Sequence, residues 1–138
     1  MADYVSLRHE DSEVPLRIER VEDKESATSN CFITSGGKVK IFGQNLRITG
    51  DQTGLGIKFI SVNDAEVIYP VSMVDLLINH PTELLIVAPP MNSDDSVQLQ
   101  ITTQYSGSSN QPLKAPRTTV FEKVLTVQSG DEATRQQA

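Results

Sequence analysis

Cysteine, tryptophan and aromatic side chains are scarce in this sequence of 138 residues. The one cysteine, Cys31, has no partner for an internal disulfide, and the lack of disulfides is typical of a reducing compartment. No cationic motif lies beside Cys31, so we interpret it as a half-buried strand residue and not as a nucleophile. Tryptophan is absent and aromatic residues make up 5% of the chain. The core must therefore consist mainly of Ile, Leu and Val, and β-branched residues favour strands.

Long hydrophobic runs are also missing. Residues 1–8 lack the apolar segment of a signal peptide. The most apolar stretch, residues 71–91, is interrupted by Asp75, His80 and Glu83, which a bilayer tolerates poorly. We therefore expect a cytoplasmic protein that does not associate with membranes.

Basic residues are few and scattered. The chain has 12 Lys and Arg against 18 Asp and Glu, a net charge of −6, but residues 26–128 hold eight acidic and seven basic residues and are nearly neutral. Binding of a nucleic-acid backbone requires several basic side chains on one surface. A basic patch formed in space would draw on Lys38, Lys40, Arg47, Lys58 and Lys123. We retain the first four as candidate nucleic-acid contacts, with a solvated strand face as the competing interpretation.

Catalytic and ligand-binding motifs are absent from the sequence. It contains no G-x-S-x-G motif for a nucleophilic serine and neither glycine fingerprint for phosphates. Its two histidines, His9 and His80, have no second His or Cys at the spacing of zinc ligands. Loop 92–96 is rich in oxygen atoms but lacks the glycine and distal glutamate of an EF-hand, so we interpret it as a strand connection. We predict no catalytic residue, no metal site and no cofactor, and we expect that the protein is not an enzyme.

Alternating apolar and polar residues fill the middle of the chain. In segment 97–105, Val97, Leu99 and Ile101 fall on one side and the glutamines at 98 and 100 on the other, as in a strand with one buried face. Similar segments, separated by Gly, Asn, Asp, Ser and Pro, predict strands at 16–21, 31–33, 38–42, 44–49, 57–62, 65–69, 84–88, 97–105 and 118–127. Seven or more short strands with such turns are typical of an all-β protein with an Ig-like β-sandwich.

Some segments carry more specific predictions. Residues 63–64 are expected to turn a hairpin, and the apolar spacing in 71–79 fits either a short helix or an irregular crossover between sheets. Segment 84–88 is apolar throughout, which predicts a central strand covered on both faces. Gly43 predicts a bulge or a close backbone approach.

The ends of the chain differ in composition from its middle. Residues 1–14 are acidic and polar, and residues 129–138 are polar. We therefore expect a flexible leader at 1–14, one sandwich domain at 15–128 and a flexible tail at 129–138. Within the domain, the strands at 15–21 and 118–127 are the expected sheet edges, which can pair with another chain.

Several segments in order resemble a bacterial family of uncharacterised Ig-like domains. They are ITSGGKVKIFGQNL at 33–46, ITGD at 48–51, GIKF at 56–59, HPTELLIVAP at 80–89, TTQYS at 102–106, LKAPR at 113–117 and VLTV at 124–127. The likeness covers roughly residues 18–127. Residues 39–46 also resemble the IPT/TIG type of Ig-like domain, in which a strand ends at a glycine bend closed by Asn.

The resemblance carries an expectation about function. In that family the Ig-like domain typically follows a domain similar to the HU/IHF DNA-binding fold, and residues 1–17 are too few to form one. The chain thus resembles an excised C-terminal domain or a stand-alone relative. The resemblance implies a non-enzymatic protein-interaction or dimerisation module of a nucleoid-associated, HU-like protein. The alternatives are direct DNA contact and a surface carbohydrate-binding or adhesion module.

Overall fold

The computed structural model describes residues 15–107 and 113–130 and is nearly all β. The predicted leader and most of the predicted tail lie outside the described residues. The strands in chain order are β1 Arg17–Asp23, β2 Thr28–Ser29, β3 Phe32–Thr34, β4 Lys38–Gln44, β5 Gly56–Ser61, β6 Ile68–Pro70, β7 Leu76–Asn79, β8 Glu83–Val87, β9 Ser96–Thr103, β10 Arg117–Val120 and β11 Leu125–Gln128. One 3-10 turn, Met73–Asp75, precedes β7. Among the described residues, no helix has the length and apolar character needed to span a membrane.

The eleven strands of the described residues form two sheets, which confirms the predicted Ig-like sandwich. The first sheet has the order β2-β1-β4-β8-β7, and the second has the order β3-β11-β9-β5-β6 with β10 also paired to β9. All pairs are antiparallel except β11 with β3, which run parallel.

One core lies between the inner faces of the two sheets. Alternation in β4 buries Val39 and Ile41, and alternation in β9 buries Val97, Leu99 and Ile101. Side chains from both sheets belong to the same buried cluster. The remaining residues of each strand lie on the outer faces, so the period of two in the sequence decides which side chains are available for binding.

The prediction of a strand at 44–49 is wrong after Gln44. β4 ends at Gln44, and Asn45 takes a left-handed φ of 58° that stops the strand. Ile48 is nevertheless buried, because the side chain of Asn79 accepts a hydrogen bond from its N–H (2.8 Å) and donates one to its carbonyl (3.0 Å). An amide side chain therefore replaces a neighbouring strand as the backbone partner.

Two further segments differ in detail from their predictions. The 71–79 segment contains the expected helical turn, but it continues into β7, an edge strand that the apolar spacing did not indicate. β8 is not covered on both faces: Leu84 and Ile86 are buried, whereas Leu85 and Val87 are half-buried on the outer face. The hairpin of β5 and β6 is confirmed, with a longer loop closed by a hydrogen bond from Ser61 N–H to Val67 O.

The single last strand expected at 118–127 is two strands. β10 pairs with residues 100–103 of β9, and β11 pairs with residues 96–97 of β9 and with β3. Phe121, which is 2% exposed and belongs to the core, still donates its N–H to Leu99 O, and the exposed residues 122–124 then separate the two strands. The edge expected at 15–21 is partly confirmed, since β2 covers only Glu22 and Asp23 of β1.

Candidate functional site

An open groove of about 500 Å³ lies between β1 and β10, on one side of the sandwich. Its lining residues are Arg17, Ile18, Glu19, Thr119, Val120, Phe121, Glu122 and Lys123. The nearly buried side chains of Ile18 and Phe121 form an apolar floor. Two basic and two acidic residues surround this floor, so the lining carries no net charge. We call this feature the groove.

The β10 wall of the groove is an unpaired strand edge. Phe121 N–H donates to Leu99 O at 2.9 Å, which sets the alternation of bonded and non-bonded pairs between β10 and β9. By that alternation the backbone groups of Thr119 point to β9, whereas those of Thr118 and Val120 point away from it. Within residues 15–107 and 113–130, no strand pairs with this second edge of β10.

The β1 wall of the groove is closed to pairing. The register of β1 against β4 shifts between Ile18 and Arg20, which makes Glu19 the extra residue of a bulge. Val21 is bonded through its N–H to the Asn30 side chain (2.9 Å) and through its carbonyl to the Asn30 N–H (2.7 Å). Bulges, and loops that occupy the backbone groups, commonly prevent an edge strand from pairing with another chain. The groove therefore has one open edge, that of β10.

Charged side chains hold the bulge in place. Arg17 Nη2 lies 2.9 Å from Glu19 Oε2, and Gln44 Nε2 donates to the same oxygen at 2.8 Å. These hydrogen bonds, first that from Arg17 and then that from Gln44, lower the pKa of the Glu19 carboxyl. Arg17 and Glu19 form an ion pair with each other. The remaining charged residues at the groove are Glu122 and Lys123.

The four candidate nucleic-acid contacts do not share one surface. Lys38 and Lys40 lie on the outer face of the first sheet, and Lys58 lies on the outer face of the second sheet. Arg47 is exposed in the loop that follows β4. The sandwich thus separates Lys58 from the two lysines of β4. Nucleic-acid contact by these residues stays a prediction.

Arg20 joins Lys38 and Lys40 and was not among the sequence candidates. It pairs with Phe42 across the first sheet, and its guanidinium lies 4.1 Å from the centroid of the Phe42 ring. Lys40 lies 5.9 Å from the same ring and 3.3 Å from Glu83. We call Arg20, Lys38 and Lys40 the basic face. A strict alternation of faces would place Arg20 on the inner face of β1. The bulge at Glu19 shifts the alternation by one residue, so Arg20 lies on the outer face.

Two polar clusters resemble reactive sites but are structural. The Asp95 carboxylate accepts hydrogen bonds from Tyr69 (2.8 Å), Ser61 (2.9 Å) and Asn63 (3.3 Å). Burial raises the pKa of the Asp95 carboxyl, but the bonds from Tyr69 and Ser61 outweigh it and lower the pKa overall. The second cluster surrounds Asp23, which is fully buried. Both carboxylates already accept several hydrogen bonds, so they bind strands to one another.

The described residues contain no group of three or more His, Cys, Asp or Glu side chains that could hold a metal ion. Cys31 is exposed in the turn before β3, and the expectation that it is a half-buried strand residue is wrong. The turn exposes it because Asn30 has a φ of 61° and ends the β2 segment. His80 is also exposed, next to Pro81.

Comparisons with known proteins agree with the fold. A family model described as "Domain of unknown function (DUF4469) with IG-like fold" matches residues 17–119. A crystal structure of a protein from Bacteroides vulgatus ATCC 8482, called a "Putative bacterial DNA binding protein", is similar with a TM-score of 0.76 at 24% identity. The match covers 84% of this chain and 48% of the other, so the chain spans about half the length of that protein. None of the curated proteins matches this chain.

Proposed function

Because the chain belongs to the family of Ig-like domains of unknown function that matches residues 17–119, we propose that it is a non-enzymatic protein-interaction module. An extended segment of another polypeptide binds in the groove and adds a strand to β10. The observation that carries this proposal is the open edge of β10 above the apolar floor of Ile18 and Phe121.

Strand addition uses the backbone groups that β10 leaves unpaired. The N–H and carbonyl groups of Thr118 and Val120 are oriented for a guest strand, and such main-chain bonds supply affinity in known cases of strand addition. Guest side chains alternate between the outer face beside Val120 and the floor of the groove. Val120 is 47% exposed, so a guest would also cover apolar surface that now contacts water.

The lining also restricts the chemistry of the guest. Arg17 and Glu19 bind each other, and Glu122 and Lys123 have opposite charges. A strongly charged segment of either sign therefore meets a like charge at the groove, whereas a segment with apolar residues at alternate positions meets none. We propose a neutral, β-branched segment as the guest.

The chain belongs, in this proposal, to a longer DNA-binding protein. The similar structure is about twice as long as the matched region and is called a DNA binding protein. We propose that an HU-like domain in the same polypeptide binds DNA and that the Ig-like domain brings a protein partner to the nucleoid in the cytoplasm. No contact among the described residues favours the carbohydrate-binding or adhesion alternative.

Photo-crosslinking tests the groove as the binding site. A photoreactive benzoyl-phenylalanine at position 120 is expected to capture another polypeptide in cells that make the protein, because Val120 lies on the open edge. The same probe at Gln98, on the outer face of the second sheet and away from the edge, is the control. Equal capture from both positions, or none from position 120, would refute the groove as the site.

A second candidate function is direct contact with DNA through the basic face. The observation that favours it is that Arg20 and Lys40 lie around the Phe42 ring, with Lys38 further along the same outer face of β4. Three cations on one sheet face provide a small site for phosphates, although Glu83 already pairs with Lys40. Affinity should thus be weak and should depend strongly on salt.

Charge reversal on the basic face measures that contribution. Changing Lys38→Glu and Lys40→Glu together is expected to weaken retention of duplex DNA at low salt and to reduce the salt slope by about 0.9 for each phosphate that the protein no longer neutralises. Lys58→Glu on the opposite sheet is the matched control and should change binding little. Absence of duplex binding by the unaltered protein, even at low salt, would contradict this function.

A further inference from the structure

We propose that the polypeptide bound in the groove is a second copy of this chain, with the two β10 strands paired antiparallel about a two-fold axis at Thr119. This inference rests on the proposed function and identifies its partner. The two second sheets would then join edge to edge through β10.

The open edge of β10 is suited to pairing with itself. Its outward backbone groups belong to Thr118 and Val120, two residues apart, and Thr119 lies midway between them. In an antiparallel pair centred on Thr119, Thr118 of each copy lies opposite Val120 of the other, and each such pair exchanges both N–H···O bonds. A shift by one residue would set outward groups against inward ones, so the alternation excludes such a shift.

The charges near β10 favour the antiparallel direction. Arg117, whose Nη2 also donates to Tyr105 O (3.4 Å), begins the strand, and Glu122 follows its end. Antiparallel pairing brings the start of one strand, with Arg117, near the end of the other, with Glu122. Parallel pairing would place Arg117 beside Arg117 and Glu122 beside Glu122, which is unfavourable. The apolar surface is also self-complementary, since Val120 of each copy packs beside Thr118 of the other on the outer face.

Four other strands that lie near the sheet edges carry features that hinder pairing with another chain, and β10 lacks them between Arg117 and Val120. β1 has the bulge at Glu19, β7 shifts register between Leu76 and Ile78, β6 ends at Pro70, and β2 has two residues. Bulges, prolines and short strands are the usual means by which proteins prevent edge-to-edge association. β10 pairs with β9 without a register shift, and residues 117–120 contain no proline and no lysine. The edge of β10 therefore lacks the features that hinder pairing at β1, β2, β6 and β7.

Disulfide trapping tests this pairing directly. The two Thr119 residues would form a non-hydrogen-bonded pair with Cα atoms about 4.5 Å apart, within the range that a disulfide spans. Thr119→Cys in a Cys31→Ser background should therefore form a covalent dimer under mild oxidation. Thr126→Cys in the same background, on the outer face of β11, is the control. We expect dimer formation roughly ten-fold faster at position 119, because pairing raises the local thiol concentration.

Sedimentation of the unlinked protein supplies the second measurement. The unaltered chain should sediment as a dimer at micromolar concentrations, and Val120→Pro should sediment as a monomer. Proline is compatible with the fold at position 120 because that N–H makes no bond to β9, but it removes a donor that the second copy needs. Circular dichroism of Val120→Pro should match that of the unaltered protein.

The outcomes separate this inference from the proposed function. A monomer at all concentrations, with equal oxidation at positions 119 and 126, would overturn self-pairing. If the probe at Val120 then still captures a different polypeptide, the groove remains an interaction site with another guest. If that probe captures nothing either, the proposed function fails as well.

Discussion

Replacing Asp23 by alanine is expected to lower the free energy of unfolding by about 3–5 kcal/mol, because the change breaks a buried network of charge-assisted hydrogen bonds. The Asp23 carboxylate accepts bonds from the hydroxyls of Ser26 (2.6 Å) and Thr34 (2.7 Å) and from the side-chain amide of Gln128 (3.2 Å). The donors would remain buried without their acceptor. A loss of this magnitude is a large fraction of the total free energy of unfolding of a domain of this length.

The effect comes from the position of Asp23 between the sheets. Asp23 is the last residue of β1 in the first sheet, whereas Thr34 in β3 and Gln128 in β11 belong to the second. The carboxylate also accepts the Thr34 N–H at 3.3 Å. One side chain therefore connects three strands from the two sheets.

Chemical denaturation of matched variants measures this contribution. Glu22→Ala removes a neighbouring carboxylate that forms a 3.1 Å surface ion pair with Lys24, and it should cost less than about 1 kcal/mol. Asp23→Asn keeps the size of the side chain and one acceptor oxygen, so its loss of stability should lie between the two. Equal stability of Asp23→Ala and Glu22→Ala would show that the network contributes little.

Replacing Gly43 by alanine is expected to cost about 3 kcal/mol, near the top of the usual range for crowding a packed site. A Cβ on Gly43 would overlap the backbone carbonyl oxygen of Arg17, which cannot rotate away as a side chain would. β1 must then move away from β4 at the bulge. Because Arg17 and Glu19 line the groove, Gly43→Ala should also weaken capture by the probe at Val120.

A second glycine provides the control for this prediction. An added Cβ on Gly130 would meet no atom within 4 Å, so Gly130→Ala should change the free energy of unfolding by no more than about 0.5 kcal/mol. Thermal unfolding of the two variants gives the comparison. If Gly43→Ala is as stable as Gly130→Ala, the close approach of β1 to β4 is not required.

The sequence predicted the strands whose side chains alternate and missed the features that depend on partners in space. β4 and β9 follow from a period of two, and Gly43 was expected at a bulge or close approach, which its contact with Arg17 confirms. The division of 118–127 into β10 and β11 was not visible, because a buried phenylalanine suits both a continuous strand and a bend. Pairing decides between them, since β9 offers one edge to both strands.

The candidate site shows the same limit. Lys38 and Lys40 share a face because they are two residues apart on one strand, which the sequence reveals. Their separation from Lys58, and the presence of Arg20 beside them, depend on which sheet each strand joins. The groove exists because, among the described strands, β10 pairs on one edge only. The residues of β10 itself give no sign of whether a second strand pairs with them.

The parallel pairing of β11 with β3 has a consequence for how the protein is made. Phe32–Thr34 has its partner strand only when Leu125–Gln128 is present, and the bond from Gln128 to Asp23 spans 105 positions of the chain. During translation, β3 and the Asp23 carboxylate must wait for nearly the whole domain to leave the ribosome before they are paired. Such distant contacts slow folding, so the apolar side chain of Ile33 in β3 lacks its partner strand until synthesis of the domain is almost complete, and chaperones can bind that segment during the interval.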